Sequence, residues 1–132
     1  MGEANPRIEA ELGLLRRNFP DLDYLPDGHW VRLDEWMVPG DVWGQRVVEV
    51  SFQMPERLPG QGPYGFYVRP GMTLTSGQAI ANYAYPASTG FGDDWGKFSW
   101  QLEQWAPTDD LVAGTNMTNF VRSFQDRFSE GG

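Results

Sequence analysis

The chain contains no cysteine. That absence removes disulfides, zinc–thiolate and iron–sulfur sites, and every reaction that needs a thiol nucleophile. Histidine is nearly missing as well: His29 stands alone, so no cofactor or metal is expected, and a metal site would have to be built from carboxylates. Basic residues are few, ten against eighteen acidic ones, and the formal net charge of -8 repels the phosphates of nucleic acids and of anionic membranes alike. No apolar run approaches the ~20 residues of a membrane-spanning helix, and Met1–Pro6 has neither the basic nor the apolar region of a secretory leader. The expectation is a soluble, cytoplasmic, acidic protein that binds neither nucleic acid nor membrane.

What is present is enough for a core. The 132 residues are 40% hydrophobic and only 21% charged, a balance that folds and leaves room for one domain, residues 1–132 with its core at about 6–128. Ile8, Leu12 and Leu15 recur at helical spacing, with Asn5 and Pro6 before them and Arg16 and Arg17 in the last turn, which predicts a helix over 6–18. Strand character follows over Trp30–Val38 and Arg46–Met54, where Val48, Val50, Phe52 and Met54 alternate with Glu49, Ser51 and Gln53. These two segments pair most simply as a hairpin, a third strand is predicted at Tyr64–Val68, and a short one near Ala79–Tyr83. Residues 84–107 show no period; glycines interleave with Phe91, Trp95, Phe98, Trp100 and Trp105, as in a long loop pinned by aromatic rings. Met117, Val121, Phe124 and Phe128 then mark a helix predicted over 109–128, with Thr108 as its cap and Asp109 and Asp110 in its first turn. Grouped strands between terminal helices indicate the α+β class.

Chemistry is sparse along this order. His29 lies between a turn glycine and Trp30 with no nucleophile or orienting carboxylate near it in sequence, so it reads as a surface or edge residue. The carboxylate pairs Asp21/Asp23, Asp93/Asp94 and Asp109/Asp110 lack calcium-loop spacing. Asp93 or Asp94 among tryptophans is compatible with glycoside chemistry or an aromatic glycan-binding module, although terminal helices disfavour the all-β architecture usual for the latter. Pro59-Gly60-Gln61-Gly62-Pro63 has no following helix or lysine and is a turn-rich connection, not a phosphate cradle.

Met54-Pro55, then Gly62-Pro63-Tyr64 and Phe66, and then Trp105-Ala106-Pro107-Thr108-Asp109-Asp110-Leu111 follow one another in an order that resembles the ubiquitin-conjugating (E2, UBC-like) fold. The set is most similar to prokaryotic E2 family E, over about residues 11–128. The resemblance implies an N-terminal helix, an antiparallel meander of about four strands, a long loop over the active site, and a C-terminal helix introduced by the W-x-P motif of Trp105 and Pro107. A charging E2 carries its thiol roughly eight residues before that tryptophan. Here that point falls near Lys97, Phe98 and Ser99, so thioester-forming activity is excluded. A His-Pro-Asn triplet is also missing, Tyr83-Ala84-Tyr85-Pro86 standing in its place, and Ser99 is followed by Trp100 and Gln101 rather than by a histidine.

The resemblance therefore implies a pseudoenzyme: a binding component of a bacterial ubiquitin-like conjugation system whose partners are an E1-like adenylating enzyme and a ubiquitin-like protein. The alternative is an enzyme using Ser99 or a carboxylate in the 88–101 loop. By the same resemblance, the N-terminal helix and the first hairpin loop would form the binding face, with Arg7, Arg16, Arg17, Val42 and an exposed Trp43 as contacts.

Overall fold

The computed structural model describes residues 5–69 and 71–130. Helix α1 (Pro6–Asn18) starts as its sequence requires: the Asn5 side chain accepts the Arg7 N–H, Pro6 opens the first turn, and Ile8, Leu12 and Leu15 are buried. Strands β1 (Asp23–Leu25), β2 (Trp30–Met37), β3 (Val47–Gln53), β4 (Phe66–Arg69), β5 (Tyr83–Thr89) and β6 (Gly92–Phe98) follow, and helix α2 (Met117–Glu130) closes the fold. The six strands form one antiparallel sheet in the order β1-β2-β3-β4-β6-β5, giving the α+β architecture.

Three differences from the sequence reading have local causes. The sheet has six strands rather than about four. β1 is three residues long, too short for alternation to register, and the stretch read as an aromatic loop contains the β5–β6 hairpin. Register shifts between Ala84 and Ala87 and between Ala87 and Thr89 break the period of that hairpin, and a cis Tyr85–Pro86 bond lies within it. Because β6 inserts between β4 and β5, the order departs from a plain meander, and the strand expected near Ala79 begins only at Tyr83. Helix α2 begins at Met117 instead of 109. Asp109 and Asp110 lie in a turn, where the Asp110 carboxylate accepts the Val112 N–H. The cap is Asn116: its side-chain oxygen accepts the Asn119 N–H while that of Asn119 accepts the Asn116 N–H, a reciprocal capping box made of two asparagines.

One sheet face carries Val31, Leu33, Val48, Val50, Phe52, Phe66, Val68 and Phe98 toward α2. Phe120, Phe124 and Phe128 fill the space between, and Phe66 stacks on Phe124 with ring centroids 4.0 Å apart. Trp43 belongs to this core. It is 1% exposed, stands edge-on to Phe98 and Phe128, and donates its indole N–H to the Phe128 carbonyl at 2.8 Å. The expectation of an exposed Trp43 fails because the β2–β3 connection is not an open hairpin tip. Val42 and Trp43 N–H bond back to Pro39, Gly44 N–H bonds Thr73 and Thr75 N–H bonds Val42, so residues 73–75 clamp the loop over the core. Trp43→Ala should therefore lower unfolding free energy by about 3–5 kcal/mol, the range of large aromatic core deletions, read as a matching fall in the urea midpoint.

Candidate functional site

The end of the sheet where β3 and β6 finish and β4 begins carries the residues that the family motifs single out. Two irregular segments wall it: the proline- and glycine-rich stretch 54–65 and the stretch 99–116. Trp105 joins them. Its indole N–H donates to the Pro59 carbonyl at 2.8 Å, and its ring lies so close to Gly62 that a Cβ there would stand 2.8 Å from the ring carbon Cγ. Trp105 is thus half-buried between two loops rather than at the start of the C-terminal helix. Ala106 and Thr115 bond each other twice, through Thr115 N–H to the Ala106 carbonyl and Ala106 N–H to the Thr115 hydroxyl, which folds the segment after Pro107 into a closed loop. Gly62, against the Trp105 ring, also lines a cleft of about 320 Å³ with Gln53, Met54, Pro55, Gln61 and Tyr64 among others.

Ser99 is exposed at this sheet end, its N–H donating to the Asn82 carbonyl. Among the described residues its hydroxyl has no hydrogen-bond partner, hence no base to activate it. His29 lies at the same end of the sheet but just before β2, with β3 and β4 between, a separation of about 14 Å at the usual strand spacing. Its Nδ1 shares a 2.8 Å hydrogen bond with the Tyr24 hydroxyl. Asp93 and Asp94 are at the opposite end of β6, where Asp93 accepts from Ser88. The serine and the carboxylates of the 88–101 segment are therefore not brought together. Among the described residues no group of three or more histidines and carboxylates could hold a metal ion. Trp95 and Phe98 are buried and Trp100 and Trp105 half-buried, so the aromatic set is spent on packing rather than displayed as a platform.

The expected binding residues divide. Arg16 and Arg17 are exposed on α1 and Val42 is half-buried. Arg7 faces inward: its Nε bonds the Glu11 carboxylate at 3.0 Å and its Nη1 donates to the Thr108 carbonyl at 2.6 Å. Glu11, wholly buried, accepts the Met117 N–H at 2.9 Å on its other oxygen. A larger groove of about 540 Å³ between the end of α1 and β2 is lined by Phe19, Leu22 and Leu33 with Asp21, Asp34 and Glu35, and it assembles like charges without a nucleophile.

Sequence reading missed a ladder of charges on the sheet face turned away from α2. Asp23, Arg32, Glu49 and Arg69 pair in succession across β1 to β4, and Arg69 lies over the Trp95 ring at 4.4 Å. Hydrogen bonds to Asp23 and to Glu49 raise the pKa of Arg32 and Arg69 respectively. The signal was available in the polar positions of β3, which alternate with Val48, Val50 and Phe52, but their partners follow only from strand order.

The family model for prokaryotic E2 family E matches residues 20–125, most of the chain, and the chain belongs to that family. No curated protein and no solved structure gives a significant match.

Tyr83, which packs on Phe98 beside this sheet end and accepts the Met72 N–H at 2.8 Å, supplies a pH test. Burial, opposed by that backbone hydrogen bond, raises its pKa above 10.0, and burial raises that of Tyr24. A phenol that holds its proton more firmly in the folded chain contributes stability present below the unfolded value and lost as pH rises through the folded one. Urea melts should show stability falling as pH climbs past 10.0, with a shallower fall in Tyr83→Phe.

Proposed function

We propose that this E2-like domain acts by binding, as a non-catalytic component of a bacterial ubiquitin-like protein conjugation system, with an E1-like adenylating enzyme and a ubiquitin-like protein as its partners. The observation that carries the reading is a family E domain without a thiol anywhere in its sequence, in which Ser99, near the place of the charging residue, is exposed and has no base beside it. A carrier in the ordinary sense needs an activated nucleophile there. The family relationship and the closed, well-packed fold favour a retained recognition surface over a vestigial one.

Arg16 and Arg17 are the basic residues of α1 that remain available to a partner, since Arg7 is committed inside the fold. Two adjacent guanidinium groups on a protein of net charge -8 mark a local reversal of sign that would orient an acidic partner surface during encounter.

Mixing the chain with an E1-like enzyme, ATP and a ubiquitin-like protein should give a complex in size-exclusion chromatography and no adduct that reductant or hydroxylamine removes. A hydroxylamine-sensitive, reductant-resistant adduct that disappears in Ser99→Ala would instead establish ester transfer and end the binding-only reading. In stopped-flow measurements, Arg16→Glu with Arg17→Glu should slow association and flatten its salt dependence while leaving the melting temperature unchanged.

A further inference from the structure

The chain has nine arginines and a single lysine, Lys97. A guanidinium stays protonated in water and cannot be acylated there, whereas a lysine amine can be. Lys97 therefore carries the only side-chain amine able to accept an acyl group. It stands near the C-terminal end of β6, eight residues before Trp105, the residue that joins the two loops walling the sheet end.

Lys97 is half-buried. Lys97 lies on β6 opposite Tyr67 of β4 and Ala84 of β5, on the sheet face turned away from α2. Ala84 is exposed and has no side chain tall enough to cover its neighbour. On the other side the ammonium lies 5.7 Å from the centre of the Tyr67 ring, a contact that holds the chain without consuming a proton donor in an ion pair. Gly65, at φ +79°, keeps the path open: a Cβ there would stand 3.2 Å from Lys97 Cε. Among the described residues Lys97 enters no salt bridge, whereas Arg7, Arg32 and Arg69 each do, in a chain with eighteen acidic side chains. Ser99, just past the end of β6 at Phe98, is exposed at the walled sheet end, and Lys97 stands outside the charge ladder.

We propose that Lys97 is the acceptor site of this domain: its Nζ takes the C-terminal acyl group of a ubiquitin-like protein from a thioester on the E1-like partner and keeps it as an isopeptide. The neutral amine, having given a proton to solvent, attacks the thioester carbonyl. The C–N bond forms, the C–S bond breaks, the second amine proton leaves from the tetrahedral intermediate, and the partner's sulfur departs as thiolate and is reprotonated. No oxidant or reductant is needed. The product is one stable modification per chain, consistent with a domain that turns nothing over. The proposal rests on the binding reading above, and the two fail in different ways.

The test uses the full chain with the E1-like enzyme, ATP and ubiquitin-like protein, and Lys97→Arg, which keeps the charge and the ring contact. The expected result is a single adduct that resists both reductant and hydroxylamine, maps to Lys97 by mass spectrometry and is lost in Lys97→Arg. A non-covalent complex with no such adduct, or the same adduct in Lys97→Arg, overturns the acceptor role and leaves the binding role standing; absence of any complex overturns the binding reading and the acceptor role with it. A second arm needs no partner. A glycine-terminated peptide thioester should acylate Lys97 in the folded chain at a rate comparable to a lysine in an unstructured peptide, and a Lys97 that reacts only after unfolding in urea overturns the proposal.

Discussion

The carboxylate of Glu11 is the point through which the helices and the loops of this fold are tied together. It is wholly buried, and each of its oxygens has a directed partner: one accepts the first N–H of α2, at Met117, and the other accepts the Arg7 guanidinium. A helix N-terminus presents unpaired N–H groups and the positive end of its dipole, so a buried anion there is stabilised twice, by a hydrogen bond and by the field. Arg7 neutralises the charge and passes the connection on to the Thr108 carbonyl, while Asn5, two residues earlier, donates to the carbonyls of Glu56 and Leu58. The start of α1 thus holds the start of α2 and both segments that wall the candidate site. Removing either member of such a buried pair leaves the other uncompensated, typically a loss of about 3–5 kcal/mol. This is why Arg7 belongs to the scaffold and cannot also serve as a freely presented contact.

With α2 fixed at its first residue, its phenylalanines meet the sheet in one register, and the two faces of the sheet take opposite characters. The face under α2 is closed by stacked and edge-on rings. The other is ordered by charge, Asp23–Arg32–Glu49–Arg69, and capped by the β5–β6 turn: Gly90 lies against the Trp30 ring and Phe91 beneath Arg32. Gly90 is required there, since a Cβ would stand 2.5 Å from a Trp30 ring carbon. Trp95, with no exposure on this polar side, is accounted for by the hairpin and by Arg69 covering it.

What the sequence disclosed was what depends on neighbours in sequence. The cap, proline and apolar stripe of α1 lie within one helix, and the alternation in β3 lies within one strand, so both were legible. The family motifs were legible for the same reason, being short and ordered. Trp43 was misread because the groups that bury it, at residues 73–75 and at Phe128, are distant in sequence and supply backbone atoms, which carry no residue signature. The β5–β6 hairpin was hidden by bulges that break the two-residue period. The helix start was misplaced because Thr108-Asp109-Asp110 is a plausible cap by composition, whereas the Asn116–Asn119 box is made of a residue type that also favours turns. The partition of the arginines into scaffold and surface could not be read from a helical pattern alone, because it depends on Glu11 being buried.

The identity of the nucleophile at the sheet end decides what kind of component this domain can be. A carrier must hold its cargo in a bond about as reactive as the one it was received in, and thiol-to-thiol exchange satisfies that because both leaving groups are of similar acidity. An amine breaks the symmetry. Its acyl product no longer exchanges with thiols, so transfer to Lys97 would run one way and stop. A hydroxyl would preserve some reactivity, but Ser99 lacks the neighbouring base that makes a hydroxyl competitive, and the only histidine is held three strands away by Tyr24. On the reading proposed above, a fold that keeps the walls of the cleft, the tryptophan that joins them and the buried carboxylate that positions them, while presenting an amine and an unassisted serine, would receive or recognise rather than relay.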